Sequence, residues 1–297
     1  MEIHQLRYFC SVAETGSFTR AAEREQIAQP SLSQQIIKLE EELGVRLFDR
    51  LGRSVRMTEP GQIFLPRARA ILNELRAAKE EVTDKQSSLA GPVSAGVIPT
   101  IAPYFLPARI NSFCRKYPQA SITVFEDVTA RLLDRLRGGV IDLALMALPT
   151  RGHDLECFPL RTEALFAILP RSHRLAKRPS LSLKELRNEP FLLLRDDHCF
   201  RETALTACKR ARITPRVVFE SGQFSSILAM VGAGLGISIV PEMALERRPD
   251  CTFVLVDDER ASRTIGVAVL KGHFLTAVQR AFLTHLQSQA QARAAGA

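Results

Sequence analysis

Near the start of the chain, apolar residues recur at steps of three and four, the spacing that lines one face of a helix. Ile3, Leu6, Phe9, Cys10 and Ala13 mark a first helix ending at Gly16, and Ser17 or Thr19 caps a second that carries Ala21 and Ala22 to Ile27. A third runs from Ser31 to Leu43 and stops at Gly44, with Pro30 suited to its first turn. Leu32, Ile36, Leu39 and Leu43 form its apolar stripe. Gln29, Pro30, Ser31, Ser33, Gln34 and Lys38 are left at its front and outer side, and small and amide groups there suit the edges of bases in a DNA major groove. Short apolar stretches around Gly52, within Val45 to Thr58, predict a hairpin wing whose Arg50, Arg53 and Arg56 would meet phosphates.

A longer stripe follows. Phe64, Ala68, Ile71, Leu75, Ala78 and Val82 keep helical spacing in a segment from Pro60 to about Leu89, closed by Gly91-Pro92. An amphipathic helix of this length needs a partner for its apolar face, either its own domain or a second copy of the chain. Beyond it the pattern alternates apolar strands with amphipathic helices. The strands expected are Val93–Ile98, Ile122–Phe125, Ile141–Leu148, Ala164–Leu169, Phe191–Leu194, Val217–Phe219, Ile237–Val240 and Thr264–Leu270. Such alternation predicts α/β architecture with largely parallel sheets.

Length and charge add little to this division and remove some alternatives. A chain of 297 residues accommodates two or three domains. The formal net charge is +8, yet residues 1–90 carry 13 Lys/Arg and 13 Asp/Glu, so the excess lies in the second part. Contact with nucleic acid must therefore come from local placement of charge. Neither a leader-like apolar run at Met1–Arg7 nor a membrane-length segment is visible, which predicts a soluble cytoplasmic protein without membrane partners. Phosphate-loop, serine-elbow and metal-ligand spacings are missing, so no cofactor or metal is expected and catalysis is not. Gly232-Ala233-Gly234-Leu235-Gly236 follows a predicted helix, the wrong context for a dinucleotide loop.

Six cysteines stand at 10, 114, 157, 199, 208 and 251. In a reducing compartment they should rest as thiols. Cys199 and Cys208 are of interest because the run between them looks helical, with Phe200, Ala204, Leu205, Ala207 and Cys208 to one side. Nine helical steps put the two sulfurs on opposite faces, with Cα atoms roughly 13 Å apart, whereas a disulfide tolerates about 7 Å. Either the thiols never pair, or pairing unwinds the segment. Cys199 lies at the polar start, after Arg195-Asp196-Asp197-His198, where helix amides, Arg201 and a protonated His198 would favour a thiolate. Asp196 and Asp197 oppose that, unless Asp197 is taken up as the helix cap.

Particular residues carry a resemblance. Leu6-Arg7-Tyr8-Phe9, Gly16 to Ala22, Gln29-Pro30-Ser31-Leu32-Ser33-Gln34-Gln35-Ile36, Leu39 to Gly44, Leu47-Phe48-Asp49-Arg50 and Thr58-Glu59-Pro60-Gly61 closely resemble the winged helix-turn-helix of LysR-type transcriptional regulators. The resemblance implies an N-terminal all-α winged helix-turn-helix over residues 1–58 and a linker helix over 59–90 that pairs two copies through Ile71, Leu75 and Val82. After it comes an α/β two-lobed, periplasmic-binding-protein-like regulatory domain over 91–297. Its first lobe would comprise 91–161 and 268–297, its second 162–267. The implied partners are an operator in double-stranded DNA, a second copy of the chain in a homodimer or dimer of dimers, and RNA polymerase.

Within that family the run His198-Cys199-Phe200-Arg201 followed by Cys208 is similar to the peroxide-responsive branch. Ile98-Pro99-Thr100, Pro103-Tyr104, Thr129 and Arg263-Thr264-Ile265-Gly266 stand beside it. This likeness implies that Cys199 is the thiol that attacks hydrogen peroxide and Cys208 the one that resolves it, with Thr100, Thr129, His198, Arg201 and Arg263 around the site. Asp197 departs from it, standing where glycine is usual. The other reading implied by the family is a small anionic metabolite bound between the lobes near Thr100.

Overall fold

The computed structural model describes residues 1–51, 54–82, 89–150, 152–258 and 261–294. Three helices open the chain: α1 (Ile3–Thr15), α2 (Phe18–Arg24) and α3 (Gln29–Leu43). Gly16 and Gly44 end α1 and α3 in the left-handed conformation, with φ of 62° and 70°, and the Ser17 side chain caps α2 as expected. Helix α2 stops at Arg24, before Ile27, and α3 begins at Gln29, two residues before the predicted start. Leu32, Ile36 and Leu39 are buried, but Leu43 is 36% exposed and leaves the predicted stripe one turn short. The wing is a hairpin of β1 (Phe48–Leu51) and β2 (Ser54–Met57), held to α3 by Glu40, whose Oε1 accepts from the amides of Leu47 (2.7 Å) and Phe48 (3.1 Å).

The linker helix α4 (Glu59–Val82) divides its stripe between two uses. Ala68 is buried in the core of the first three helices, with Phe64, Leu65 and Leu72 packed against it. Further along, Ile71 is 42% exposed, and on another face Ile63 is 67% exposed. The last predicted part of this helix, residues 83–88, lies outside the described residues, as does the side chain of Val82.

The remaining chain forms two lobes joined by strands. In the first, β3 (Gly91–Val97) pairs in parallel with β4 (Ala120–Glu126) and β5 (Leu143–Leu148); α5 (Ala102–Lys116) and α6 (Thr129–Arg137) connect them. Then β6 (Leu155–Pro170) runs for 16 residues through both lobes. Two further strands lie on its second-lobe half, β10 (Ser238–Pro241) and β11 (Cys251–Val256), and β11 carries the short β7 (Ser180–Leu181). A separate parallel pair, β8 (Pro190–Leu194) and β9 (Arg216–Ser221), flanks α7 (Cys199–Arg210), and α8 (Phe224–Gly232) follows β9. The return strand β12 (Ser262–Leu270) pairs antiparallel with β5 and β6, and α9 (Ala277–Ala294) closes the first lobe.

The sheets are thus mixed. The expectation of largely parallel pairing fails because β6 and β12 pass between the lobes and pair antiparallel with their neighbours. Packing also shifts the second crossing. Ile265, Val267 and Ala268 already lie in the first-lobe core and Ala261 in the second, so the chain changes lobes between 261 and 265, earlier than the predicted 268.

Candidate functional site

Helix α7 lies at the seam of the two lobes, and its ends belong to different cores. Cys199, its first residue, packs against the first-lobe cluster, while Cys208 is fully buried in the second-lobe cluster. Both are free thiols. Burial pushes the Cys208 thiol up to about 11. Nine helical steps lead from one to the other, so opposite faces follow from the helix itself.

Burial also raises the Cys199 thiol above its ordinary value, while the Thr129 hydroxyl, the Arg263 charge and the Ala147 backbone pull it part of the way back. The expectation of an acidic thiol is corrected accordingly: desolvation outweighs the favourable charges. Thr129 is the first residue of α6, and its hydroxyl lies close enough to act on the thiol, yet the approach falls short of hydrogen-bond geometry. That oxygen is buried with no hydrogen-bond partner among the described residues.

Arg263 joins the elements around the thiol. It is 3% exposed, its Nη1 donates to Thr100 Oγ1 at 2.9 Å, and its guanidinium lies 5.1 Å from the centre of the Phe200 ring. Nε and Nη2 donate to Glu163 Oε1 at 2.8 and 2.6 Å. Glu163 is a residue that sequence reasoning missed; an acid in a polar interruption of β6 shows its meaning only once register puts it opposite Arg263.

Three expected neighbours are placed differently from the prediction. Arg201 is committed elsewhere: its Nε meets Asp196 at 2.6 Å, and Nη1 meets Glu220 at 2.7 Å and the Leu194 carbonyl at 2.9 Å. It ties the start of α7 to β8 and β9. His198 is the N-terminal cap residue of α7 but makes no side-chain cap bond, and burial lowers its pKa, which works against the imidazolium. Asp197 is not the cap. It is half-exposed and pairs with Arg195 at 3.4 Å, with His198 Nε2 at 3.7 Å.

Beside Thr100 a cleft of about 730 Å³ opens between the lobes, lined among others by Pro99, Tyr104, Glu126, Gln223 and Glu246. Its charged lining is acidic, with two carboxylates and no cation among the described lining residues. In the N-terminal part Gln29, Pro30, Ser31, Gln34 and Lys38 are exposed along α3, with Ser33 half-buried among them. Gln35, by contrast, turns inward, where Gln5 Nε2 donates to its Oε1 at 3.2 Å. Arg50 lies on β1 with its side chain outside the description, and Arg53 lies outside the described residues. Among the described residues there is no group of His, Cys, Asp and Glu able to hold a metal, and no helix long and apolar enough to cross a membrane.

Comparison with known proteins fits this geometry. The family model for the LysR substrate binding domain matches residues 86–291, and that for the bacterial regulatory helix-turn-helix protein, lysR family, matches residues 3–62. The chain belongs to the LysR family of DNA-binding transcriptional regulators, proteins that are not enzymes. It is 36% identical over 288 residues to the uncharacterized HTH-type transcriptional regulator YybE of Bacillus subtilis, covering 97% of this chain and 99% of the relative. It is 33% identical over 275 residues to the DNA-binding transcriptional dual regulator OxyR of Escherichia coli, covering 92% and 90%. The structure of full-length OxyR C199D from Pseudomonas aeruginosa superposes with a TM-score of 0.84 at 30% identity, covering 98% of this chain and 95% of that one.

Proposed function

We propose that this LysR-family regulator senses hydrogen peroxide through a reversible disulfide between Cys199 and Cys208 and controls oxidative-stress genes from the cytoplasm. The observation that carries the reading is the position of Cys199: first residue of α7, at the lobe seam, under the influence of the Arg263 charge and of a buried Thr129 hydroxyl that has no other hydrogen-bond partner among the described residues, on one helix with a second thiol. Similarity to OxyR over most of both chains supports it.

In the proposed reaction the Cys199 thiolate attacks one peroxide oxygen, the O–O bond breaks, and the hydroxide released takes up a proton, leaving a sulfenic acid. Cys208 then attacks that sulfur and expels the hydroxyl oxygen as water, forming the disulfide. Thr129, and Thr100 with its hydroxyl hydrogen still available beyond the bond from Arg263, orient the peroxide. Both amides and charge favour the thiolate at the first residue of a helix. Because the sulfurs lie on opposite faces, the second step must unwind α7 and draw Cys208 out of an apolar core. The altered lobe would change how subunits meet in a dimer or dimer of dimers, and so the spacing of the DNA-reading helices and access for RNA polymerase.

Reading of the operator falls in this scheme to Gln29, Pro30, Ser31, Ser33, Gln34 and Lys38, phosphate contact to Arg50 and Arg53, and pairing of subunits to Ile71, Leu75 and Val82. The test is mass-spectrometric mapping of disulfides after less than one equivalent of peroxide. A Cys199–Cys208 bond is expected. Two free thiols with a persistent operator response would overturn the reading and bring forward a metabolite in the cleft beside Thr100, whose acidic lining disfavours an anion.

A further inference from the structure

Glu163 and Arg263 face each other across the antiparallel strands that join the lobes, with side chains 0% and 1% exposed. Glu163 Oε1 accepts two bonds from the guanidinium, and Oε2 accepts the Met243 amide at 2.9 Å, so both carboxylate oxygens are occupied. Arg263 spends its other contacts on Thr100 of the first lobe and on the ring of Phe200, the residue after Cys199. A buried charge pair acts as a unit, since either member alone would be left uncompensated in an apolar interior. It also projects a weaker field than a lone guanidinium, because the bonded carboxylate subtracts from it.

We propose that Glu163 is a positioning residue for Cys199: it pins Arg263 between Thr100 and Phe200 and offsets much of the positive charge that would otherwise reach the sulfur, holding the reduced thiol less reactive than Arg263 alone would make it. The proposal rests on the reading of Cys199 as the reacting thiol. Among the described residues, Arg263 bears on this thiol from β12, backed by Glu163 on β6; His198 precedes it, with Asp197 and Arg195 beyond, and Arg201, paired with Asp196 and Glu220, and Glu202 follow it on α7. Helix α6 and strand β5 bring the Thr129 hydroxyl and the Ala147 backbone, neither charged.

The experiment is alkylation of Cys199 by iodoacetamide in the full-length reduced protein across pH, followed peptide by peptide, with peroxide oxidation measured in parallel. Glu163→Gln keeps the shape but removes the charge, so the alkylation midpoint should fall; each unit it falls raises the thiolate fraction near neutrality about tenfold. Glu163→Asp, which keeps the charge, should stay close to the parent. An unmoved or raised midpoint in Glu163→Gln, or an equal fall in Glu163→Asp, overturns the proposal. Should Glu163→Gln not fold, the Glu163→Gln/Arg263→Gln pair leaves no buried charge there, and its midpoint should remain within about one unit of the parent. A larger rise, about tenfold or more in lost thiolate, would mean that Arg263 acts on the sulfur unopposed. Alkylation that shifts as expected while peroxide leaves Cys199 untouched supports the role of Glu163 and overturns only the peroxide reading.

Discussion

Cys199 and Cys208 share one helix and two cores: the first thiol rests against the lobe built on β3 and β5, and the second is enclosed by the lobe built on β8 and β11. Joining them therefore has to move more than a side chain. After peroxide treatment, amide hydrogen exchange across Cys199–Arg210 should accelerate sharply, while α5 and α6 in the first lobe keep their protection. Unchanged exchange in α7 alongside a formed disulfide would mean that the helix accommodates the bond.

Alkaline stability follows from the buried thiols. Cys10 and Cys208 each rise from 9.0 to about 11 in the folded chain. For an acid whose folded pKa is raised, the unfolded chain releases its proton first, so stability is full below about pH 9 and declines as pH climbs from 9 towards 11. For Cys208, fully buried, the slope is about 1.4 kcal/mol per pH unit. Cys208→Ala should cost about 1 kcal/mol near neutrality by leaving a small cavity, yet unfold with a flatter decline above pH 9. Denaturant titrations at several pH values compare the two slopes.

On DNA, two kinds of contact are expected. Gln34→Ala should reduce discrimination between operator and scrambled sequence by about 1–3 kcal/mol, whereas Arg50→Ala should weaken both alike and lower the salt slope by about one unit. Binding isotherms at several salt concentrations distinguish them. A uniform loss from Gln34→Ala would remove it from the reading set.

Ile71 offers a cleaner test of the linker than Leu75, because it is already 42% exposed in the single chain. Ile71→Asp should leave the subunit's own stability within about 0.5 kcal/mol but place an unpaired charge in any seam between two linkers. Sedimentation should show dissociation, together with loss of tight operator binding. An unchanged oligomer would locate the seam elsewhere.

The helices of the N-terminal part were legible because their ends carry local chemistry: Ser17 supplies a cap oxygen, and Gly16 and Gly44 take the left-handed turn. The strands were legible where they are buried on both faces, as at β5 and β8. Both β11 and the first half of β6 were missed. In β6, Glu156, Pro159, Arg161 and Thr162 interrupt an apolar run that only the pairing with β12 makes into a strand. Cys199 and Cys208 stand out in sequence as a pair, but their environment does not: Cys199 is buried against a core formed by residues distant in the chain, and that burial sets the sign of its pKa shift over the opposing Thr129 and Arg263. Glu163 was invisible for the same reason, as were the ion pairs of Arg201 with Asp196 and Glu220.

The passage of β6 through both lobes has a mechanical consequence. A single strand that pairs with β12 on one side of the seam and with β10 and β11 on the other is not a loose tether. One lobe cannot swing against the other as on a flexible loop; it can only wind or unwind the β6–β12 ribbon, as in a torsion bar. The ribbon's register slips between Ile265 and Gly266, leaving Leu160 without a partner, and a bulge of this kind is where a strand pair changes twist most readily. Strain released when α7 unwinds would emerge as rotation about that point.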